Sequence, residues 1–248
     1  MKGQSMKVVQ HLEELRKAII ITLGIFLLFF LLAFIYVQDI YHLLVKDLPF
    51  KLALLGPSDI LMVYLMIASV VAFAATMPVA AHQIWRYISP GLTAKERKVT
   101  LAYVPALFIL FIVGISFGYF ILFPLVMSFL MSLSDDMFTT FFTTEKYFRF
   151  LLNMTLPFGF LFELPVVIMF LTSLGIINPY LLTKIRKYAY FVLIITSVLI
   201  TPPDFISDIL VIIPLLLLYE SSITLSKFVY NRQQKAKDKL VVKQPTVR

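Results

Sequence analysis

Several acidic residues lie where a carboxylate would have a partner to bind. Glu13 and Glu14 precede the first apolar block within the segment HLEELRK, and Glu96 lies among Lys95, Arg97 and Lys98. A carboxylate accepts both branches of a guanidinium fork, so two such acids at a membrane surface could receive a pair of arginines. The alternative is that these acids only neutralise their basic neighbours, and the residues alone leave both interpretations open.

Acids in apolar surroundings form a second group. Glu163 lies inside an apolar block, directly before Leu164 and Pro165, and a carboxylate in lipid is costly. It either bridges helices near the Pro165 kink or faces a cavity or a partner helix. Asp204 and Asp208 follow a double proline, where Asp204 could cap the next helix. Glu220 is expected at the membrane interface.

Residue types that enzymes use are missing or scattered. The chain has no cysteine, and its three histidines do not form an HExxH pair or another metal spacing. It has no glycine-rich phosphate loop and no serine-hydrolase motif. The sequence therefore predicts no catalytic residue, no metal, no cofactor and no enzymatic activity.

The elements that position these acids are apolar blocks long enough to cross a bilayer. The 248 residues are 60% hydrophobic and 15% charged, too little polar material for a water-facing surface. A span needs roughly 20 apolar residues. We expect spans at about 18–37, 60–81, 99–129 and 148–174, and two short ones at 188–200 and 205–218, because Pro202 and Pro203 break the last block. Residues 1–228 then form a single membrane domain, and 229–248 a basic cytoplasmic tail that we expect to be disordered.

The basic residues predict the orientation of these spans. Of the 22 lysines and arginines, eighteen lie in the N-terminal segment, the second and fourth loops and the C-terminal tail. The other four are Lys46, Lys51, Lys146 and Arg149. Cytoplasmic loops are rich in Lys and Arg, so both termini are expected in the cytoplasm, with Glu14 and Glu96 on the same face. The basic charge follows topology and does not indicate nucleic-acid binding.

Five motifs run along nearly the whole chain, namely HLEELRK, ISPGLTAKERK, GISFGYFILFP, PFGFLFELPV and TPPD, in that order. They resemble the TatC family, the core subunit of the twin-arginine protein translocase, in a version similar to that of Gram-positive bacteria. The resemblance implies an all-α membrane protein of six helices in a curved, cup-like wall, in the bacterial cytoplasmic membrane. It implies recognition of twin-arginine signal peptides of folded precursors, export driven by the proton-motive force, and assembly with TatA/TatB-type single-span subunits, further copies and lipids.

The resemblance also assigns roles to individual positions. Glu14 matches the signal-binding glutamate, with Glu13 as its less specific neighbour, and Glu96 and Leu92 match positions of the second loop that bind precursor. Glu163 matches an intramembrane glutamate and Asp204 an outer aspartate. The family often has an amide where this chain has Asp208, so its partner contacts are expected to differ.

The residues argue against two other classes of membrane protein. A small-molecule secondary transporter would use Glu163 as a proton carrier, but such proteins usually contain internal repeats, and none is evident between residues 1–125 and 126–248. A purely structural scaffold would not need acids beside two separate cytoplasmic span entries. The residues therefore favour a receptor over either class.

Overall fold

A computed structural model describes residues 2–46, 48, 51–92, 97, 100–132, 141–201 and 205–242, with side chains between Leu12 and Lys235. Glu96 and Asp204 lie outside the described residues. The described chain is helical apart from its loops and a single β-bridge. The α-helices are α1 (Lys2–Ile35), α2 (Val37–Val45), α3 (Pro57–Ile88), α4 (Tyr103–Phe117), α5 (Phe123–Ser132), α6 (Thr144–Leu161), α7 (Leu164–Ser173), α8 (Pro179–Lys184), α9 (Arg186–Ile200) and α10 (Phe205–Val242).

Apolar helices confirm the expected fold class. Five segments are long and apolar enough to cross a bilayer, namely Leu12–Ile35, Pro57–Ile88, Tyr103–Ser132, Thr144–Ser173 and Phe205–Lys235. Large apolar side chains stay exposed on them; Phe205, for example, is 85% exposed. Such surfaces are unfavourable in water and suit a lipid environment.

Helix α9 lies where the sequence predicts the short fifth span. Its 15 residues rise about 22 Å, less than the roughly 30 Å of a hydrocarbon core. The last helix differs from the expectation. Although the apolar run of the sixth span ends near Leu218, α10 continues as one helix of 38 residues to Val242. The segment after residue 228, expected to be unstructured, is therefore helical through Val242.

The fourth span is interrupted directly beside Glu163. Helix α6 ends at Leu161 and α7 begins at Leu164, with Pro165 in its first turn. Proline has no N–H to donate and its ring clashes with the preceding turn, so the helix breaks there. The N–H of Glu163 instead donates to the carbonyl of Phe160 at 3.1 Å, a tighter turn than the α-helix makes. The break places Glu163 at a corner between two helices.

Three glycines let the third and fourth spans approach closely. Gly114 and Gly118, one turn apart, face the α6 backbone at Phe158 and Thr155, and Gly159 of α6 faces the ring of Phe111. Small residues at this spacing allow membrane helices to pack backbone to backbone. A π-helical turn, Gly118–Leu122, follows and joins α4 to α5.

The first and third loops are joined by main-chain hydrogen bonds. Ala53 and Thr143 form a parallel β-bridge between them. The N–H of Ala53 donates to the carbonyl of Phe142 at 2.9 Å, and the N–H of Thr144 donates to the carbonyl of Ala53 at 2.8 Å. Near this clasp, formed by Ala53 with Phe142–Thr144, Tyr41 of α2 stacks on Phe148 of α6 with 5.4 Å between ring centroids. The short helix α2 is thus packed onto the same end of the bundle.

The clasp predicts a disulfide between introduced cysteines. Paired strands lie about 4.8 Å apart, within the range of about 4.4–6.8 Å between Cα atoms that a disulfide can bridge. Because the chain has no cysteine, Ala53→Cys with Thr143→Cys introduces two cysteines that can pair only with each other within the chain. Mild oxidation of the purified protein should crosslink most of it, measured as a mobility shift that reductant reverses. The pair Leu55→Cys with Thr143→Cys is the control, and equal crosslinking of both pairs would contradict the clasp.

Candidate functional site

Glu13 and Glu14 lie on α1 just before its apolar segment, and both are exposed. Successive helical residues point about 100° apart, so the two carboxylates face different directions. Glu13 Oε1 lies 4.0 Å from Nη2 of Arg16, a long ion pair between exposed groups that stabilises little. Glu13 is thus directed toward a basic residue of its own helix, and Glu14 toward another side.

Leu92 follows the C-terminal end of α3. The chain leaves α3 through a 3₁₀ turn, Ser89–Gly91, and the N–H of Leu92 donates to the carbonyl of Ser89 at 3.2 Å. Leu92 itself is half-buried and extended, and the buried Ser89 donates its hydroxyl to the carbonyl of Arg86. The turn holds the start of the second loop against the end of α3.

Helix geometry brings this end of α3 level with Glu14. Helices α1 and α3 run in opposite directions, and the rings of Phe26 and Phe73 meet at 4.9 Å between centroids. Glu14 is twelve residues before Phe26, and Trp85 is twelve residues after Phe73. Each interval rises about 18 Å, so Glu14 and Trp85 lie at similar heights on the same end of the bundle.

Glu163 lies near the middle of the spans. Phe73 is at the centre of α3, and its ring contacts that of Phe160 at 6.4 Å between centroids, three residues before Glu163. Glu163 is half-buried, and its Oε1 atom is fully buried with no hydrogen-bond partner in the described part of the chain. A buried oxygen without a donor is costly. Glu163 is therefore a polar group near the middle of the bundle with one buried oxygen that no described residue satisfies.

Asp208 lies in the first turn of α10 and contacts the end of α9. Its Oδ1 atom contacts the hydroxyl of the buried Thr201, which also lies 2.9 Å from the carbonyl of Ser197. The hydroxyl has one proton, so it donates to one of these two acceptors. Asp208 thereby ties the start of α10 to the end of α9.

Glu220, which the sequence predicts at the membrane interface, is bound by two residues of α9. Its Oε2 accepts from Nη2 of Arg186 at 2.7 Å, and its Oε1 accepts from the hydroxyl of Tyr190 at 2.6 Å. These bonds join the start of α9 to the middle of α10, and the paired residues are 34 and 30 residues apart in sequence. Opposite charge in the flanks was visible in the sequence, but the pairing required the antiparallel arrangement of the two helices.

The structure therefore separates the expected site residues into three places. Glu13, Glu14 and Leu92 lie at one end of the helical bundle, and Asp208 lies at the opposite end. Glu163 lies near the middle of its length. Together the helices define a multi-pass membrane protein with polar groups at three depths.

Comparison with known proteins identifies the kind of membrane protein. The family model for the Sec-independent protein translocase protein (TatC) matches residues 10–214. The chain belongs to this TatC family, which confirms the resemblance read from its motifs, and it is a component of a protein translocase.

The relatives cover nearly the whole chain. The Bacillus subtilis (strain 168) protein TatCd is 62% identical over 91% of this chain and 93% of its own length. TatCy of the same organism is 43% identical over 95% of this chain and 94% of its own. A crystal structure of the twin-arginine translocase receptor TatC matches with a TM-score of 0.78 and 34% identity, covering 88% of this chain and 99% of that one.

Proposed function

We propose that this chain is the receptor subunit of a twin-arginine translocase and that it binds the arginine pair of a precursor's signal peptide between Glu14 and Glu96. The observation that carries the proposal is the level placement of exposed Glu14 and the end of α3, from which the loop with Leu92 and Glu96 departs. Carboxylates so placed can each receive one guanidinium fork. Leu92 offers an apolar contact for the residues beside the arginines.

The chemistry of the fork supports arginine over lysine. A guanidinium presents parallel N–H donors that match the two oxygens of a carboxylate, whereas an ammonium is a point charge. Hydrogen bonds between charged groups contribute roughly 1.5–3 kcal/mol each. Glu13 contributes less to this binding, since it faces Arg16 on its own helix.

The remaining acids serve assembly in this proposal. Glu163 has an oxygen without a donor in the described chain, which fits a polar group of a single-span TatA/TatB-type subunit or an inserted signal peptide. Asp204 and Asp208, at the opposite end of the last two spans, serve as contacts for the same partners. Further copies of the chain and membrane lipids cover the apolar helix faces. Transport is driven by the proton-motive force, and the chain itself has no enzymatic role.

The basic flanks support the placement. We propose that the chain resides in the bacterial cytoplasmic membrane with both termini in the cytoplasm, because eighteen of its 22 basic residues lie on that side. Precursors with their signal peptides arrive from this face. The short helix α9 would thin the adjoining bilayer, which lowers the cost of passing a folded protein.

Binding of a labelled twin-arginine peptide tests the receptor site. In nanodiscs, Glu14→Gln and Glu96→Gln should each weaken the affinity about tenfold to a hundredfold, since each loses a charged hydrogen bond worth roughly 1.5–3 kcal/mol. A twin-lysine peptide should bind the unmodified protein more weakly than the twin-arginine peptide.

Glu145→Gln is the matched control, because Glu145 is paired with Arg149 at 2.6 Å at the far end of the bundle. Its affinity for the peptide should stay unchanged. Unchanged affinity in both Glu14→Gln and Glu96→Gln would reject the proposed site.

A further inference from the structure

Trp85, the one tryptophan of the chain, closes the base of the second loop. It lies half-buried near the end of α3, and its Nε1–H donates to the hydroxyl of Thr100 at 3.1 Å, fifteen residues further on. Thr100 is 1% exposed, and its hydroxyl donates to the carbonyl of Arg97 at 3.2 Å. A hydroxyl accepts and donates at once, so the three groups form a continuous chain of hydrogen bonds.

The indole ring makes two more contacts at the same place. The guanidinium of Arg97 lies 5.7 Å from its centroid, within the range of a cation–π interaction. The ring of His82, one turn earlier on α3, lies 5.5 Å from it. Trp85 thus holds both the side chain and, through Thr100, the main chain of Arg97.

Arg97 directly follows Glu96 in the sequence, and Leu92 lies between Trp85 and Thr100. Because contacts to Trp85 and Thr100 already hold Arg97 in the free protein, less conformational entropy is lost at Arg97 when a ligand binds nearby. The geometry points to Trp85 as a positioning residue of the signal-peptide site, which acts through Thr100 and Arg97 on the loop that carries Leu92 and Glu96. This role rests on the proposed function, because it concerns the affinity for twin-arginine peptides.

Conservative substitutions separate the hydrogen bond from the bulk of the side chains. Thr100→Val removes the acceptor and keeps the shape, whereas Thr100→Ser keeps the hydroxyl. Trp85→Phe keeps an aromatic ring under Arg97 and loses the donor. Thr100→Val and Trp85→Phe should each weaken binding of a labelled twin-arginine peptide about threefold to tenfold, the effect of roughly one hydrogen bond. Thr100→Ser should bind like the unmodified protein.

The same substitutions in a Glu96→Gln background distinguish positioning from general damage. If Trp85 acts through the loop that carries Glu96, Thr100→Val should cause little further loss once the carboxylate is gone. A loss of the same size in both backgrounds would show a merely structural role and overturn the inference. Unchanged affinity in both Thr100→Val and Trp85→Phe would also overturn it.

A different result would show that the proposed receptor site itself is wrong. In that case, Glu96→Gln and Glu14→Gln would both leave the peptide affinity unchanged, whatever the effect of Thr100→Val. The tryptophan also supplies a readout that needs no peptide. In Thr100→Val the emission maximum of Trp85 should shift, because its Nε1–H loses the hydroxyl acceptor, and in Thr100→Ser it should stay unchanged. An unchanged emission spectrum in Thr100→Val would contradict the hydrogen bond between Trp85 and Thr100.

Discussion

Gly114→Ala should strongly destabilise the protein and reduce the amount that accumulates in the membrane. A Cβ atom on Gly114 would lie 2.4 Å from the carbonyl oxygen of Phe158 and 2.9 Å from Cβ of Phe162. The first contact is with main chain, which cannot rotate away as a flexible side chain would. Overpacking of this kind costs about 1–3 kcal/mol or more, so thermal unfolding in detergent should begin at a clearly lower temperature.

Gly24→Ala is the matched control, since a Cβ atom there meets nothing within 4 Å. It replaces a glycine inside the helix of the first span and should leave the unfolding temperature unchanged or slightly raised. Gly118→Ala should resemble Gly114→Ala, because its Cβ would lie 2.8 Å from Cα of Thr155. Equal behaviour of Gly114→Ala and Gly24→Ala would refute the close packing of α4 on α6.

Glu163→Leu should affect stability and assembly in opposite directions. Its buried Oε1 has no donor among the described residues, and an unsatisfied buried polar atom costs about 1–3 kcal/mol. Leucine has similar bulk and no polar atom, so the isolated protein should unfold at a higher temperature. Crosslinking to a single-span partner should fall, because the partner's polar group would then face an apolar side chain in lipid.

Glu163→Gln is the informative comparison for this prediction. The amide keeps polar atoms at the corner between α6 and α7, so it should show little gain in stability and retain part of the crosslinking. Thermal unfolding of the purified protein and site-specific crosslinking in membranes measure the two effects. A Glu163→Leu variant that is less stable, or that crosslinks to partner normally, would show that the carboxylate is satisfied within the chain.

Much of the fold could be predicted from local properties of the sequence. Hydropathy is a sum over neighbouring residues, and it placed the apolar helices close to where the structure has them. The prolines predicted the breaks because their effect on the helix is also local: Pro165 lies in the first turn of α7, and α9 ends at Ile200, before Pro202. The end of the last helix was missed, since polar residues end an apolar span without ending a helix.

The site residues also divide into those predicted from local sequence and those that depend on tertiary contacts. Glu13, Glu14 and Glu163 could be chosen from residue type and surroundings alone. Trp85 was missed, because its partner Thr100 is fifteen residues away and only the turn after α3 brings them together. The partners of Glu220 were missed for the same reason, since Arg186 is 34 residues away.

The sequence by itself determined that this is a membrane protein of apolar helices in the TatC family, and it predicted the face on which Glu14 and Glu96 lie. Those properties depend on composition and on short motifs, which are independent of contacts between residues that are distant in the sequence. Only the tertiary structure decided that α4 packs backbone to backbone on α6, that Glu220 is bound, and that Trp85 closes the second loop. Each of these depends on residues far apart in the chain that meet only when the helices pack.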